Sequence, residues 1–243
     1  EELLTPSPLI AIIPTVALKT LLGHIGAFPK NLTQLDRTHL FKDFAPRFDP
    51  TTESISTGSA LFKNQAACPF NAFALHRLKA TPLESPSHGL TALDRGSILH
   101  EILFRLWTQW ETSLELHRKT DQEINIQLNQ VSLEVLDEWS IYHPILRGNR
   151  FRLIERSRLV KLLSEWVLQE KQRSSFSIES LETKYTATFG DLQISLRLDR
   201  VDKIDDKLLI IDYKSGTINP AHWDGERPKD PQLPLYVSVC EPT

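Results

Sequence analysis

The chain of 243 residues contains no methionine and only two cysteines, Cys68 and Cys240. Two thiols cannot build a disulfide framework, which excludes the small secreted scaffolds that depend on one. They also fall short of the four thiolates an iron–sulfur cluster normally takes. Long apolar runs are missing too. The stretch from Leu9 to Phe28 is broken by Pro14, Lys19 and His24 and follows Glu1 and Glu2, the wrong flank and composition for a signal peptide or a membrane span. Net positive charge is absent as well: 28 Lys and Arg stand against 31 Asp and Glu, a formal charge of -3. Any affinity for nucleic acid must therefore come from local patches and not from a global field. No internal repeat or low-complexity tract occurs. The lack of methionine, and an end soon after Tyr236, lead us to expect an excerpt from a longer polypeptide, in which spacings between motifs are minimum values.

With 40% hydrophobic residues the chain can bury a sizeable core. Residues 29–57 are polar and proline-containing without a sustained period, so 1–57 reads as a connector or the tail of an upstream domain and 58–243 as one domain, truncated at its C-terminal end. Helices are expected over 59–79, 95–118, 121–140 and 151–173, strands over 181–189, 192–203 and 207–214, and a short helix from 231. Cys68 is expected to be buried at a helix start, with Pro69 at the first helical position.

The chemistry lies in the strand region. KLLIIDY (207–213) is an apolar run of strand length. Side chains alternate along a strand, so Asp212 and Lys214 share a face while Tyr213 points away. In LQISLRLDRVDK (192–203), Leu192, Ile194, Leu196 and Leu198 form one face and Ser195, Arg197 and Asp199 the other. Asp205-Asp206 suits a tight turn, so the two strands are expected to pair as a hairpin that brings Asp199 toward Asp212. Two close carboxylates repel unless a cation lies between them or one is protonated. Two acids and a lysine are the parts needed to hold a divalent metal beside a phosphate, with the Tyr213 carbonyl as a further ligand.

Elsewhere, Leu99, Ile102, Leu103, Leu106, Trp107 and Trp110 fall at helical spacing, and His100 lies at the edge of that apolar face. Gln232 and Tyr236 are spaced to share a helix face, provided Pro231 and Pro234 both lie in its first turn. RGNRFRLIERSRLVK (147–161) concentrates Arg150, Arg152, Arg156 and other basic residues, either a groove that neutralises phosphates or a solvated helix face.

Four segments in order, GSALFKNQAACPFNAFALHRLKA (58–80), RGSILHEILFRLW (95–107), LRLDRVDKIDDKLLIIDYKSG (196–216) and DPQLPLY (230–236), resemble the PD-(D/E)XK nuclease superfamily and its RecB-like branch. The resemblance implies an α/β restriction-endonuclease-like core, a central mixed sheet flanked by helices, with a helical insertion. It implies His100, Asp199, Asp212 and the Tyr213 carbonyl as ligands of Mg²⁺ or Mn²⁺, and Lys214, Asp212 and Asp199 as catalytic residues. It also implies Gln232 and Tyr236 as a QxxxY motif that contacts DNA. The activity implied is metal-dependent DNA hydrolysis, exonucleolytic and in repair or recombination, in the cytoplasm, with a helicase domain or subunit as partner. Some members of the branch carry an iron–sulfur cluster whose first cysteine matches Cys68, but only Cys240 follows Tyr236, so no cluster is expected. An inactive DNA-holding scaffold on the same fold, or action on RNA, stays open at this point.

Overall fold

Cys68 divides the first helical stretch. Its extended backbone, φ -162°, ends α1 (Ala60–Ala67) and opens α2 (Pro69–Ala72), which runs into a π-helical turn at Phe73–Arg77. Pro69 takes the first helical position, where its missing N–H costs nothing. Cys68 is exposed, contrary to expectation. The reason is local: α1 buries none of its residues, so no core closes over the thiol. These features come from a computed structural model that describes Asp49 and residues 58–83, 89–190, 192–225 and 227–240. Apart from Asp49, the connector expected at 1–57 lies outside the described residues.

A long apolar face belongs to α3 (Ala92–Trp110). Its start is closed by a capping box: the Asp94 N–H donates to Thr91 Oγ1 at 3.1 Å and the Thr91 N–H donates to Asp94 Oδ2 at 2.8 Å. Ile98, Ile102, Leu103, Leu106, Trp107 and Trp110 are buried along it. The helix stops at Glu111, whose φ of 55° is a left-handed terminator, instead of continuing to 118. Thr112 then caps α4 (Ser113–Arg118). Thr120 and Glu123 form a second capping box at α5 (Asp121–Trp139), and α6 (Asn149–Glu170) follows. α3, α5 and α6 close one core, in which Trp107 packs with Leu128, Leu136, Leu159 and Leu163.

Three strands follow, β1 (Ser177–Phe189), β2 (Leu192–Ile204) and β3 (Lys207–Ile211). They pair antiparallel in the order β1-β2-β3. The expected hairpin joins β2 and β3: Ile204 pairs with Lys207, and Asp205 takes the positive φ of 53° that the two-residue turn needs. Burial alternates from Gln193 to Leu198 and then gives way to an unbroken buried run, Leu198 to Asp202. α7 (Gln232–Cys240) packs on β2 through Tyr236, which joins Ile194, Leu196, Leu198 and Val201 in a second apolar cluster. Pro231 and Pro234 both fall at the start of this helix, where they interrupt no bond.

Helices flanking a sheet make the mixed α/β architecture expected of a restriction-endonuclease-like core. Among the described residues the sheet is antiparallel throughout and lacks the parallel member of a mixed sheet. A parallel pair needs a crossover and a further strand, and no strand is described after β3. No helix among the described residues is long and apolar enough to cross a membrane.

The orientation of α3 sets a stability contrast. Leu106 is fully buried and Leu93 is 77% exposed. Leu106→Ala is expected to cost about 2–5 kcal/mol in chemical denaturation. Leu93→Ala should stay within about 0.5 kcal/mol of the parent. Equal losses would mean that the helix presents a different face to the core.

Candidate metal and active site

Immediately after β3 the chain places Asp212, Tyr213 and Lys214. Tyr213 packs its ring against the helical core, while Lys214 Nζ lies 2.8 Å from Asp212 Oδ2. The alternation read from the sequence thus operates past the last ladder pair. The Asp212 side chain is 2% exposed and that of Lys214 37%, so the carboxylate is buried and the ammonium reaches solvent. Burial pushes the Asp212 carboxyl above its ordinary range; Lys214 opposes this and the charge on Asp199 adds to it.

Gln232 links this pair to α7. Its Nε2 donates to Asp212 Oδ1 and to Tyr236 Oη, each at 2.7 Å, and its Oε1 accepts from Lys214 Nζ at 2.6 Å. Because Lys214 can only donate and a carboxylate can only accept, the amide has a single satisfactory orientation. The chain of bonds ends at the Arg197 carbonyl, which accepts from Tyr236 Oη at 2.7 Å. Tyr236 is buried, and burial pushes its hydroxyl up to about 12, so it stays a donor.

A second group gathers around His100, carried on α3. Its Nε2 donates to the Tyr213 carbonyl at 2.9 Å, and its Nδ1 lies 3.5 Å from Asp199 Oδ1. Asp199 Oδ2 accepts the Tyr213 N–H at 2.8 Å. Hydrogen bonding to Asp199 raises the imidazole's pKa, against the effect of burial. The third member, Glu182, was not singled out in the sequence. β1 pairs Leu181 with Arg200 and Thr183 with Leu198, so Glu182 stands opposite Asp199, 3.9 Å from His100 Nδ1 and 3.0 Å from Arg197 Nε. Its φ of 46° is left-handed for a residue that is not glycine. That conformation costs on the order of 1–3 kcal/mol and is of the kind that collects at functional sites. Burial raises the Glu182 carboxyl, with Arg197 and His100 opposing and Asp199 adding.

His100, Glu182 and Asp199 offer one imidazole nitrogen and two carboxylate oxygens, all within 4.8 Å of one another. Mixed nitrogen and oxygen donors of this kind suit a divalent ion such as Mn²⁺. The electrostatics agree, because Asp199 raises the carboxyl pKa of both Asp212 and Glu182, an excess of negative charge that a cation relieves. Asp212 and the Tyr213 carbonyl, also expected as ligands, are turned to other partners: Asp212 to Lys214 and Gln232, the carbonyl to His100.

The structure therefore brings His100, Asp199, Asp212, Tyr213, Lys214, Gln232 and Tyr236 into one neighbourhood. The basic run of α6 is bonded elsewhere or not to the site. Arg152 bonds to Asp137 and Asn149, and among the described residues no hydrogen bond or ion pair joins Arg150 or Arg156 to the site. Glu182 could have been found only through its strand register, since no local motif marks it. A cleft of about 590 Å³ opens on the site, lined by His100, Glu182, Arg197 and Lys214 and by the apolar Leu93 and Phe104.

Among curated proteins no match is found. The family model of the PD-(D/E)XK nuclease superfamily matches residues 62–243, a span that takes in α3, all three strands and α7. The order of the matched elements and the acids, lysine and imidazole gathered at the end of the β2–β3 hairpin agree with that match, and the chain belongs to the PD-(D/E)XK nuclease superfamily.

Proposed function

We propose that this chain hydrolyses phosphodiester bonds in DNA with Mg²⁺ or Mn²⁺, as an exonuclease domain of a helicase–nuclease protein that works in repair or recombination in the cytoplasm. The observation that carries the reading is the junction of two half-sites: the Lys214–Asp212–Gln232 triangle lies beside the His100, Asp199 and Glu182 cluster, and both border one open cleft. A scaffold that only holds DNA has no chemical use for a lysine locked against a buried carboxylate.

His100, Asp199 and Glu182 are the residues that hold the ion, with Asp212 and the Tyr213 carbonyl joining them if the bonds to Gln232 and His100 give way. A divalent ion bound there supplies Lewis acidity toward a phosphate oxygen and makes a water easier to deprotonate. Lys214 has three N–H donors. Two are directed to Asp212 and Gln232, which leaves the third to orient the attacking water or to steady charge growing on the phosphate. Gln232 holds the ammonium in place, and Tyr236, turned inward, serves Gln232 and not the substrate directly. Arg197, with its guanidinium at the cleft, is available to a phosphate if it leaves Glu182.

Arg150, Arg152 and Arg156 are assigned to the path of the DNA backbone away from the cleft. Arg150 is exposed, whereas Arg152 is already satisfied by Asp137, so the three contribute unequally.

Lys214→Ala should lower Mn²⁺-dependent DNA hydrolysis by at least about 10²-fold, with circular dichroism and DNA binding retained. The parent enzyme should lose activity in EDTA and regain it with Mn²⁺. Unchanged turnover in the variant removes Lys214 from the chemistry, and DNA binding by the parent without cleavage under any divalent ion favours the scaffold. Replacing Arg150, Arg152 and Arg156 together by Gln should weaken DNA binding evenly across sequences. It should also flatten the salt dependence by up to about one unit of slope for each phosphate no longer neutralised, while the rate at saturating DNA stays the same. An unaltered salt slope would make this run an ordinary solvated helix face.

A further inference from the structure

Four charged side chains are packed into the helical core next to the site. Arg200 is fully buried. Its Nε donates to Asp202 Oδ1 at 2.5 Å, and its Nη2 donates to Asp202 Oδ2 at 2.7 Å and to Glu170 Oε2 at 3.0 Å. Arg173 completes the group, donating to Glu170 Oε2 at 2.6 Å and to Asp202 Oδ2 at 2.7 Å. The Arg200 guanidinium also lies over the Trp107 ring, 3.7 Å from its centroid. Two arginines and two carboxylates balance in charge, yet a buried group of this kind adds little stability over apolar packing of the same volume. What it does supply is direction. With Nε and Nη2 both engaged and the plane held by Trp107, the remaining Nη1 can point only one way.

That way leads to Tyr213. Arg200 Nη1 donates to Tyr213 Oη at 3.2 Å, and the phenol ring lies edge-on to Trp166 and to His100 at centroid distances of 5.7 and 5.9 Å. The same residue reaches the site through its backbone, its N–H on Asp199 and its carbonyl on His100. Its chain neighbours are Asp212 and Lys214. A shift of the ring would therefore move every group read above as metal ligand or catalyst except Glu182.

We infer that Arg200 is a positioning residue for the metal site, acting through the Tyr213 hydroxyl, with Asp202, Glu170 and Arg173 fixing its orientation. The inference rests on the proposed metal-dependent reading. Arg200 touches neither metal nor substrate. Its effect is to set the place of the Tyr213 backbone, and so the spacing of Asp199 and His100, before an ion arrives.

The test uses the full chain and reads Mn²⁺ affinity by calorimetry, with thermal denaturation and metal-free DNA binding alongside. Tyr213→Phe keeps the ring and removes only the hydroxyl. It should raise the Mn²⁺ Kd about 10-fold, the lower end of what loss of a partner behind a metal ligand costs, with DNA binding unchanged and activity restored at high Mn²⁺. Arg200→Lys, which retains the charge but not the fork, should raise it further; if that variant does not fold, Tyr213→Phe carries the test. Leu106→Ala serves as a variant weakened in the core alone, and its Mn²⁺ Kd should match the parent. An unaltered Kd in Tyr213→Phe, or an equal rise in Leu106→Ala, overturns the inference and makes the cluster merely structural. A parent protein that binds Mn²⁺ without cutting DNA defeats the nuclease reading alone, and the comparison of Kd values still decides the role of Arg200. A parent that binds no Mn²⁺ overturns both.

Discussion

The pairing of Arg200 with Ile211 is the contact on which the site depends. It ends the β2–β3 ladder one step before Asp199 and Asp212, so those two acids emerge side by side where the strands part. A slip of β3 by one residue would turn Asp212 to the other face of the sheet, away from Asp199. The register is held at its far end by the two-residue turn at Asp205 and along its length by apolar side chains, with Val201 and Ile210 paired and both in the cluster under α7. The same pairing sets Arg200 beside the helical core and Tyr213 within reach of it. Register thus decides both which acids meet and which groups stand behind them.

An arrangement that gathers acids must also manage their repulsion. The three carboxylates of Glu182, Asp199 and Asp212 are each answered by a donor: Arg197 for Glu182, the Tyr213 N–H and His100 for Asp199, Lys214 and Gln232 for Asp212. These partners do not cancel the field, because burial and mutual repulsion still keep Asp212 and Glu182 above the ordinary carboxylate range. A chain with a net charge of -3 supplies no general positive background to offset this. The demand is local, and it is of the kind that a small divalent cation relieves.

Much of this was legible in the sequence because it is written in short-range periodicity. The buried face of α3, the β2–β3 hairpin and the common face of Asp212 and Lys214 follow from repeats of about four and of two residues. Glu182 does not, since its place depends on the pairing of β1 with β2 and on a strained backbone that a glutamate does not advertise. The break at Glu111 was equally silent, as that residue type does not mark a helix end, whereas the one at Cys68 was marked by Pro69 at the first helical position. The Arg200 cluster was hidden for another reason. Nothing in LDRVDK marks Arg200 and Asp202 as buried, and only the arrival of Trp107, Glu170 and Arg173 from other elements makes them a buried network.

The hydrogen bonds of α7 reach further than the sheet they cover. Among the described residues Gln232 is the one side chain that bonds to both Lys214 and Asp212, and it is itself held by Tyr236, whose hydroxyl is anchored on the backbone of β2. The apolar seat of α7 on Ile194, Leu196 and Leu198 therefore has a second effect. It sets the height of the Gln232 amide, and with it the point in the cleft from which Lys214 can donate. Withdrawal of α7 would leave Lys214 with Asp212 alone, a pairing that draws the ammonium back toward the buried acid and away from solvent. The spacing of Gln232 and Tyr236 by one helical turn thus belongs to the geometry that places Lys214, although the tyrosine faces the interior.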